Sequence, residues 1–346
     1  MENADIGAMH TKKLSLWFLI TVVLILALFA TVIFALLIGP VNISFREILN
    51  ILFGGDASTA HKTIILSIRL PRVLLGGLVG ASLAIAGAAM QGLFRNPMAS
   101  PYVLGISSGA AFGASLAIVL GFSIVTGLYA VPAMAFIFAF ITLILVYNIA
   151  KVNGRVPVDT LLLAGIAIAA FFTALVSFMK YIAGEQLSSI VFWMMGGLWD
   201  ARWGFFVFAL PMVTVGVALI LIFSRDLNVL MIGEEHAVNL GVNVPLARNV
   251  VLVASSLVTA ASVSVSGVIA FVGLIVPHMM RLFVGPDNRI LLPASCLVGA
   301  MFMIWTDTLA RTIIAPEELP VGIITAILGA PFFLFLLKRR KGVTGW

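Results

Sequence analysis

The sequence predicts an all-α protein that crosses a lipid bilayer about ten times. Three observations carry that prediction. Of the 346 residues, 62% are hydrophobic and only 10% are charged, whereas soluble domains run near 45–50% apolar and about 25% charged. The apolar residues form continuous runs rather than alternating with polar ones, which excludes a membrane barrel. Most of the runs also reach the roughly 20 residues that a helix needs to cross the hydrocarbon layer. The 31 glycines and 14 prolines fit the same picture, because packed membrane helices tolerate both.

The runs fall at 14–38, 64–90, 103–120, 129–150, 158–183, 204–224, 246–270, 273–284, 290–312 and 320–337. The first follows Lys12 and Lys13 and so resembles a secretory leader. It is too long for one and lacks a small-residue cleavage site, so it reads as a crossing. Residues 1–13 then form an N-terminal tail, 14–338 the membrane domain and 339–346 a C-terminal tail. The runs at 103–120 and 273–284 are short and marked by Gly or Pro, which predicts broken or tilted helices. In the second and third runs, Gly76, Gly77, Gly80 and Gly87 lead to Gly105, Gly109 and Gly113. Small residues at such spacing let helix backbones approach closely.

Ten crossings put both termini on one side. Loops on that side carry Lys12, Lys13, Arg95, Lys151, Arg155, Arg225, Arg248, Arg281, Arg289, Lys338, Arg339, Arg340 and Lys341, which is 13 of the 20 basic residues. The positive-inside rule makes it the cytoplasmic side. This distribution also accounts for the net charge of +6 without invoking nucleic acid.

Few residues carry chemistry. Gly105-Ile106-Ser107-Ser108-Gly109 has the spacing of a hydrolase nucleophile elbow. That motif needs a strand before it and a helix after it, and this one lies in a small-residue membrane segment. No Gly-Lys-Ser/Thr phosphate loop occurs, so any ATP must be bound by another chain. His10, His61, His236 and His278 are scattered, and Cys296 is single, so no metal-ligand spacing is visible. Asp159, Lys180, Asp307 and Arg311 fall near predicted helix ends, within reach of the interface. The polar stretch at 225–243 mixes Leu227, Leu230, Met231, Ala237 and Leu240 with acids. It reads either as a solvated loop or as short amphipathic helices that meet a partner. At the opposite face Arg69, Arg72 and Arg311 either snorkel to the interface or receive carboxylates.

Long motifs in a fixed order resemble the FecCD/cobalamin-type permeases of ABC importers. They are Arg69-Leu70-Pro71-Arg72, residues 83–110, Phe192 to Leu198, Gly233 to Gly241, Gly267 to Arg281 and Glu318 to Phe333. The resemblance implies a homodimeric type II importer permease in the cytoplasmic (inner) membrane, embedded in its lipid, with both termini cytoplasmic. Its partners would be a second copy of the chain, two cytoplasmic ABC ATPase subunits and an extracytoplasmic substrate-binding protein. It implies no catalytic residue and no cofactor of its own, since ATP and Mg would sit on the ATPase. Gly233, Glu234, Glu235, Ala237, Leu240 and Gly241 would couple to that ATPase. Arg69, Arg72 and Arg311 would dock the binding protein, while Gly184, Phe192, Trp193, Gly196 and Gly197 would line and gate the pathway.

The cargo implied is a metal chelate: an iron(III)-siderophore, haem or cobalamin. The alternatives are an oxyanion importer for molybdate or tungstate, an ion-coupled secondary transporter, and an intramembrane enzyme built on Ser107. A secondary transporter usually carries a charge at mid-membrane, and none stands out.

Overall fold

The computed structural model describes residues 2–122, 127–152 and 156–341; Arg155 and residues 342–346 of the C-terminal tail lie outside them. Among the described residues every regular element is helical. The first crossing is α1 (Glu2–Leu37), followed by two short helices, α2 (Phe45–Leu52) and α3 (Thr59–Thr63). A π-helical turn over Ile64–Arg69 runs directly into α4 (Leu70–Leu93), and a 3-10 turn at Pro101–Leu104 precedes α5 (Ile106–Val119). Then come α6 (Ala130–Ala150), α7 (Val158–Ile182), the short α8 (Leu187–Met195) and α9 (Trp203–Ile222). The polar stretch forms α10 (Ser224–Ile232) and α11 (Glu234–Asn239). The chain finishes with α12 (Val244–Ser266), α13 (Val272–Val284), α14 (Asn288–Ala310) and α15 (Val321–Lys341).

Seven of these spans are long and apolar enough to cross a membrane, and α5, α13 and the apolar part of α15 are three shorter apolar helices. Each coincides with one of the ten predicted runs. α1 starts at Glu2, well ahead of Leu14, because no proline interrupts the residues before the apolar run.

Local chemistry sets several ends. Ser44 accepts from the Glu47 amide and starts α2, and Asn243 accepts from the Leu246 amide and starts α12. The Ile48 and Ile51 face of α2 then packs on Ala35, Leu36 and Ile304. This strongly two-faced helix lies between apolar runs, where the hydropathy pattern gave no sign of it.

The bundle is organised around α4, which packs against α14, α12, α13 and α9. Its crossing is 78% buried inside the chain, whereas that of α1 is 17% buried. Backbone contact makes the difference. A Cβ placed on Gly80 would overlap the Gly299 carbonyl of α14, and one on Gly87 would overlap the Gly273 carbonyl of α13. Helices in lipid gain little from merely joining apolar faces, so dispersion at this close range supplies the association.

Gly87→Val should therefore destabilise the chain by about 1–3 kcal/mol, the cost of overpacking. By contrast, Gly77→Ala would bring its Cβ only to 3.4 Å from Ile304 Cδ1 and should leave stability nearly unchanged. Thermal unfolding of both variants in one detergent measures the contrast, and equal midpoints would remove the α4 contacts from their central place.

Candidate functional site

The three arginines picked out from sequence come together. They line one cavity of about 280 Å³ with Pro40, Val41, Ile64, Ile68, Ala315, Pro316 and Glu318. Arg69 and Arg311 are buried and the Arg72 side chain keeps 11% of its surface exposed, and all three turn to partners within the chain rather than snorkelling freely. Arg69 is 4% exposed and donates to the Leu36 and Val41 carbonyls at 2.6 and 2.5 Å. Arg311 is 7% exposed and donates to the Ala35 carbonyl at 2.7 Å. Both thus cap the C-terminal end of α1, where carbonyls lack intrahelical partners and a cation is favoured.

Arg72 binds acids instead. Its Nε and NH2 grip Asp307 at 2.8–3.1 Å, and its NH1 meets both Glu318 oxygens at 2.9 Å. Asp307, placed by sequence at an interface-reaching helix end, is instead buried inside this network. Two carboxylates among three guanidiniums leave the cluster with an excess positive charge.

A second cavity, of about 310 Å³, lies beside α8. Phe192, Trp193 and Gly197 line it, with Trp199, Phe205, Ser264, Ser266 and Asp200. Phe192 and Trp199 meet edge to face at 6.1 Å. Gly184 and Gly196 are outside its lining and bracket α8 instead, both with positive φ. Gly196 also touches the backbone of the unwound 267–271 segment: a Cβ there would strike the Val268 carbonyl. The Gly197 amide donates to the Ser266 carbonyl at 2.8 Å. Nothing in the hydropathy pattern signalled this joint between α8, α12 and the start of α15.

The residues from Gly233 to Gly241 form α11 and its flanks, the shorter of the two helices in the polar stretch. Ala237 is fully buried and anchors the helix to the core. Around it Ile232, Val238 and Leu240 are each more than 60% exposed, beside the exposed Glu234 and Glu235. Glu234 also pairs with Arg248 of α12. A mixed apolar and acidic surface of this kind suits neither lipid tails nor plain water.

At the same end as α10 a polar junction has formed that the motifs did not indicate. Asp287 accepts from Arg289 (Nε 3.0 Å, NH2 2.7 Å) and from Asn228 Nδ2 of α10 at 2.7 Å. The Arg289 hydrogen bonds, followed by that from Asn228, hold its carboxyl well below the usual carboxylate range. The Gly105–Gly109 motif, for its part, starts α5 after a 3-10 turn, with the Ser108 hydroxyl donating to the Gly105 carbonyl. The strand that a nucleophile elbow requires is replaced by that turn.

The FecCD transport family matches residues 14–339. The cobalamin import system permease protein of Halobacterium salinarum is 50% identical over 81% of this chain and 74% of its own length. The hemin transport system permease protein of Yersinia pestis is 42% identical over 95% of this chain and 96% of its own. Among solved structures, the inward-facing conformation of a metal-chelate type ABC transporter aligns with a TM-score of 0.82 at 36% identity. That alignment covers 92% of this chain and 99% of the other.

The arginine cluster makes a stability prediction. Asp307→Ala strands a buried guanidinium and should cost about 3–5 kcal/mol. Glu318, whose side chain is 35% exposed, should cost under about 1 kcal/mol when changed to Gln. Unfolding midpoints that shift equally for the two would show that burial does not set the worth of these pairs.

Proposed function

The chain belongs to the FecCD transport family, and on that premise we propose that it is the permease subunit of an ATP-driven importer of a metal chelate. The observation that carries the proposal is the exposed surface of α11 and its flanks, where apolar Ile232 at the end of α10, Val238 and Leu240 stand beside Glu234 and Glu235. In this reading α10 and α11 seat in a cytoplasmic ATPase, one for each copy of a homodimer, and both termini are cytoplasmic. ATP and Mg are held by that partner, and this chain supplies no catalytic group.

Substrate enters at the opposite face from an extracytoplasmic binding protein, docked where Arg69, Arg72 and Arg311 gather. The excess positive charge of that cluster supports docking of acidic side chains. ATP binding closes the ATPase pair, α10 and α11 carry the closure into the bundle, and the pathway turns to face outward. Hydrolysis and release return it inward. The permease makes no covalent bond and acts as a two-state element biased from both ends.

The cavity beside α8 favours a chelate over a bare oxyanion. Four aromatic side chains, three hydroxyls and the carboxylate of Asp200 are among its lining residues, and no Lys or Arg is. Such a wall suits the apolar rim of a large ligand, whereas an oxyanion needs fixed donors or cations. The match to a cobalamin permease over most of the chain supports cobalamin or haem as the first cargoes to test.

Two experiments test the proposal. The chain should co-purify with an ABC ATPase. Glu234→Arg combined with Leu240→Asp should abolish the response of that ATPase to loaded binding protein while the membrane dimer persists. An unaltered response would remove the coupling role from α11. The second concerns docking: Glu318→Gln frees one edge of Arg72 and should tighten binding-protein association about threefold at low salt. Unchanged or weaker association would move the docking surface off this cluster.

A further inference from the structure

We infer that Asp287, in the turn between α13 and α14, is a positioning residue that locks α10 to the transmembrane helices and so carries the partner's stroke into the bundle. The inference rests on the proposed seating of an ATPase at α10 and α11. The geometry itself does not depend on it.

α10 is separated from α11 only by Gly233 and from α9 only by Phe223, so one route from α11 into the bundle runs through α10, beside the Glu234–Arg248 pair to α12. On that route α10 is held by its continuity with α9, by the buried Leu227 and Leu230, and by side-chain hydrogen bonds from Asn228 to α14. Asn228 Nδ2 donates to Asp287 Oδ1 at 2.7 Å, and Asn228 Oδ1 accepts from the Asn288 backbone amide, also at 2.7 Å. The side chain therefore uses both ends of its amide on the first turn of α14. Asn288 adds a contact from its Nδ2 to Met231 Sδ of α10 at 3.3 Å.

Asp287 is the hub of this junction. It caps α14 through the Arg289 amide at 3.1 Å and holds the Arg289 guanidinium through both carboxylate oxygens. It also lies 3.7 Å from Lys13 of α1. Lys13 and Arg289 both cover the Trp17 ring of α1, at 4.8 and 4.9 Å from its centre. One carboxylate thus joins three elements: α10 by a hydrogen bond, α14 by a cap and α1 by charge. Hydrogen bonds to an ionised acceptor are stronger and more directional than neutral ones, which suits a joint that must transmit a displacement without slipping.

The test uses the complete transporter in lipid with its ATPase and binding protein, carrying Asp287→Asn, Asn228→Ala or both. Asp287→Asn keeps the shape but sets an amide against the Arg289 guanidinium; Asn228→Ala leaves the Asp287 cap on the Arg289 amide intact and removes the Asn228 hydrogen bonds to Asp287 and to the Asn288 amide. Each single variant should assemble normally and hydrolyse ATP with unchanged KM. Each should deliver about tenfold less substrate per ATP. The double variant should be no worse than the more severe single one, because both remove one joint. Parallel loss of hydrolysis and transport, or additive losses, would overturn the inference, as would full transport per ATP by Asn228→Ala. A wild-type chain that binds no ATPase would instead overturn the proposed function, and the inference with it.

Discussion

In a bilayer no water is released when two apolar helices meet, so what draws this bundle together is how near backbones can come. Gly80 against Gly299 and Gly87 against Gly273 set α4 in contact with α14 and α13, and the other helices take their places from that contact. It also permits what a lone helix in lipid could not sustain. The chain unwinds between Ser266 and Val272 and leaves backbone groups off any helical ladder. These groups are answered within the protein: Tyr102 donates to the Ile269 carbonyl at 2.7 Å, and the Gly197 amide to that of Ser266. Irregular backbone at such depth persists only when protein encloses it, and α4 with its neighbours provides the enclosure.

The same logic explains why charge sits only at the ends. α1 is the least enclosed of the long crossings and packs chiefly along α14. Polar contacts fix it at its extremities. At one end Arg69 and Arg311 bind the Ala35 and Leu36 carbonyls. At the other Lys13 and Trp17 meet Asp287 and Arg289. Each arginine at the first end donates to a carbonyl of a helix terminus that would otherwise be short of donors.

How far sequence alone could see follows from these facts. Apolar continuity is a local property, so all ten apolar helices, seven of them long enough to cross a membrane, were legible among the described residues, with ends within a few residues except for the helical extension of α1. The amphipathic alternative for residues 225–243 was legible too, because Leu227, Leu230 and Ala237 fall on buried faces. What could not be read was azimuth. Hydropathy put Arg72 and Asp307 near helix ends but not on facing sides, and they are 235 positions apart. Arg69, Arg72 and Arg311, grouped from sequence, do meet around one cavity, yet their inward turn depends on carbonyls that no side-chain pattern reports. The Asp287 junction escaped for the same reason. Its members come from residues near 13, 228 and 288, and each looks ordinary alone.

These constraints together decide which part of the bundle is cheapest to move. Helices in backbone contact cannot slide without losing many close contacts at once, and α1 is pinned at both ends. α8 differs from both. It is nine residues long with only Ile190 buried, so displacing it exposes little. Gly184 precedes it and Gly196 follows it, each at a positive φ that a side-chain-bearing residue would resist. Its far end nevertheless abuts the unwound 267–271 segment and the first turn of α15, so it cannot swing alone. A rigid frame thus carries one lightly held short helix, jointed to the break in its own core and lining the cavity.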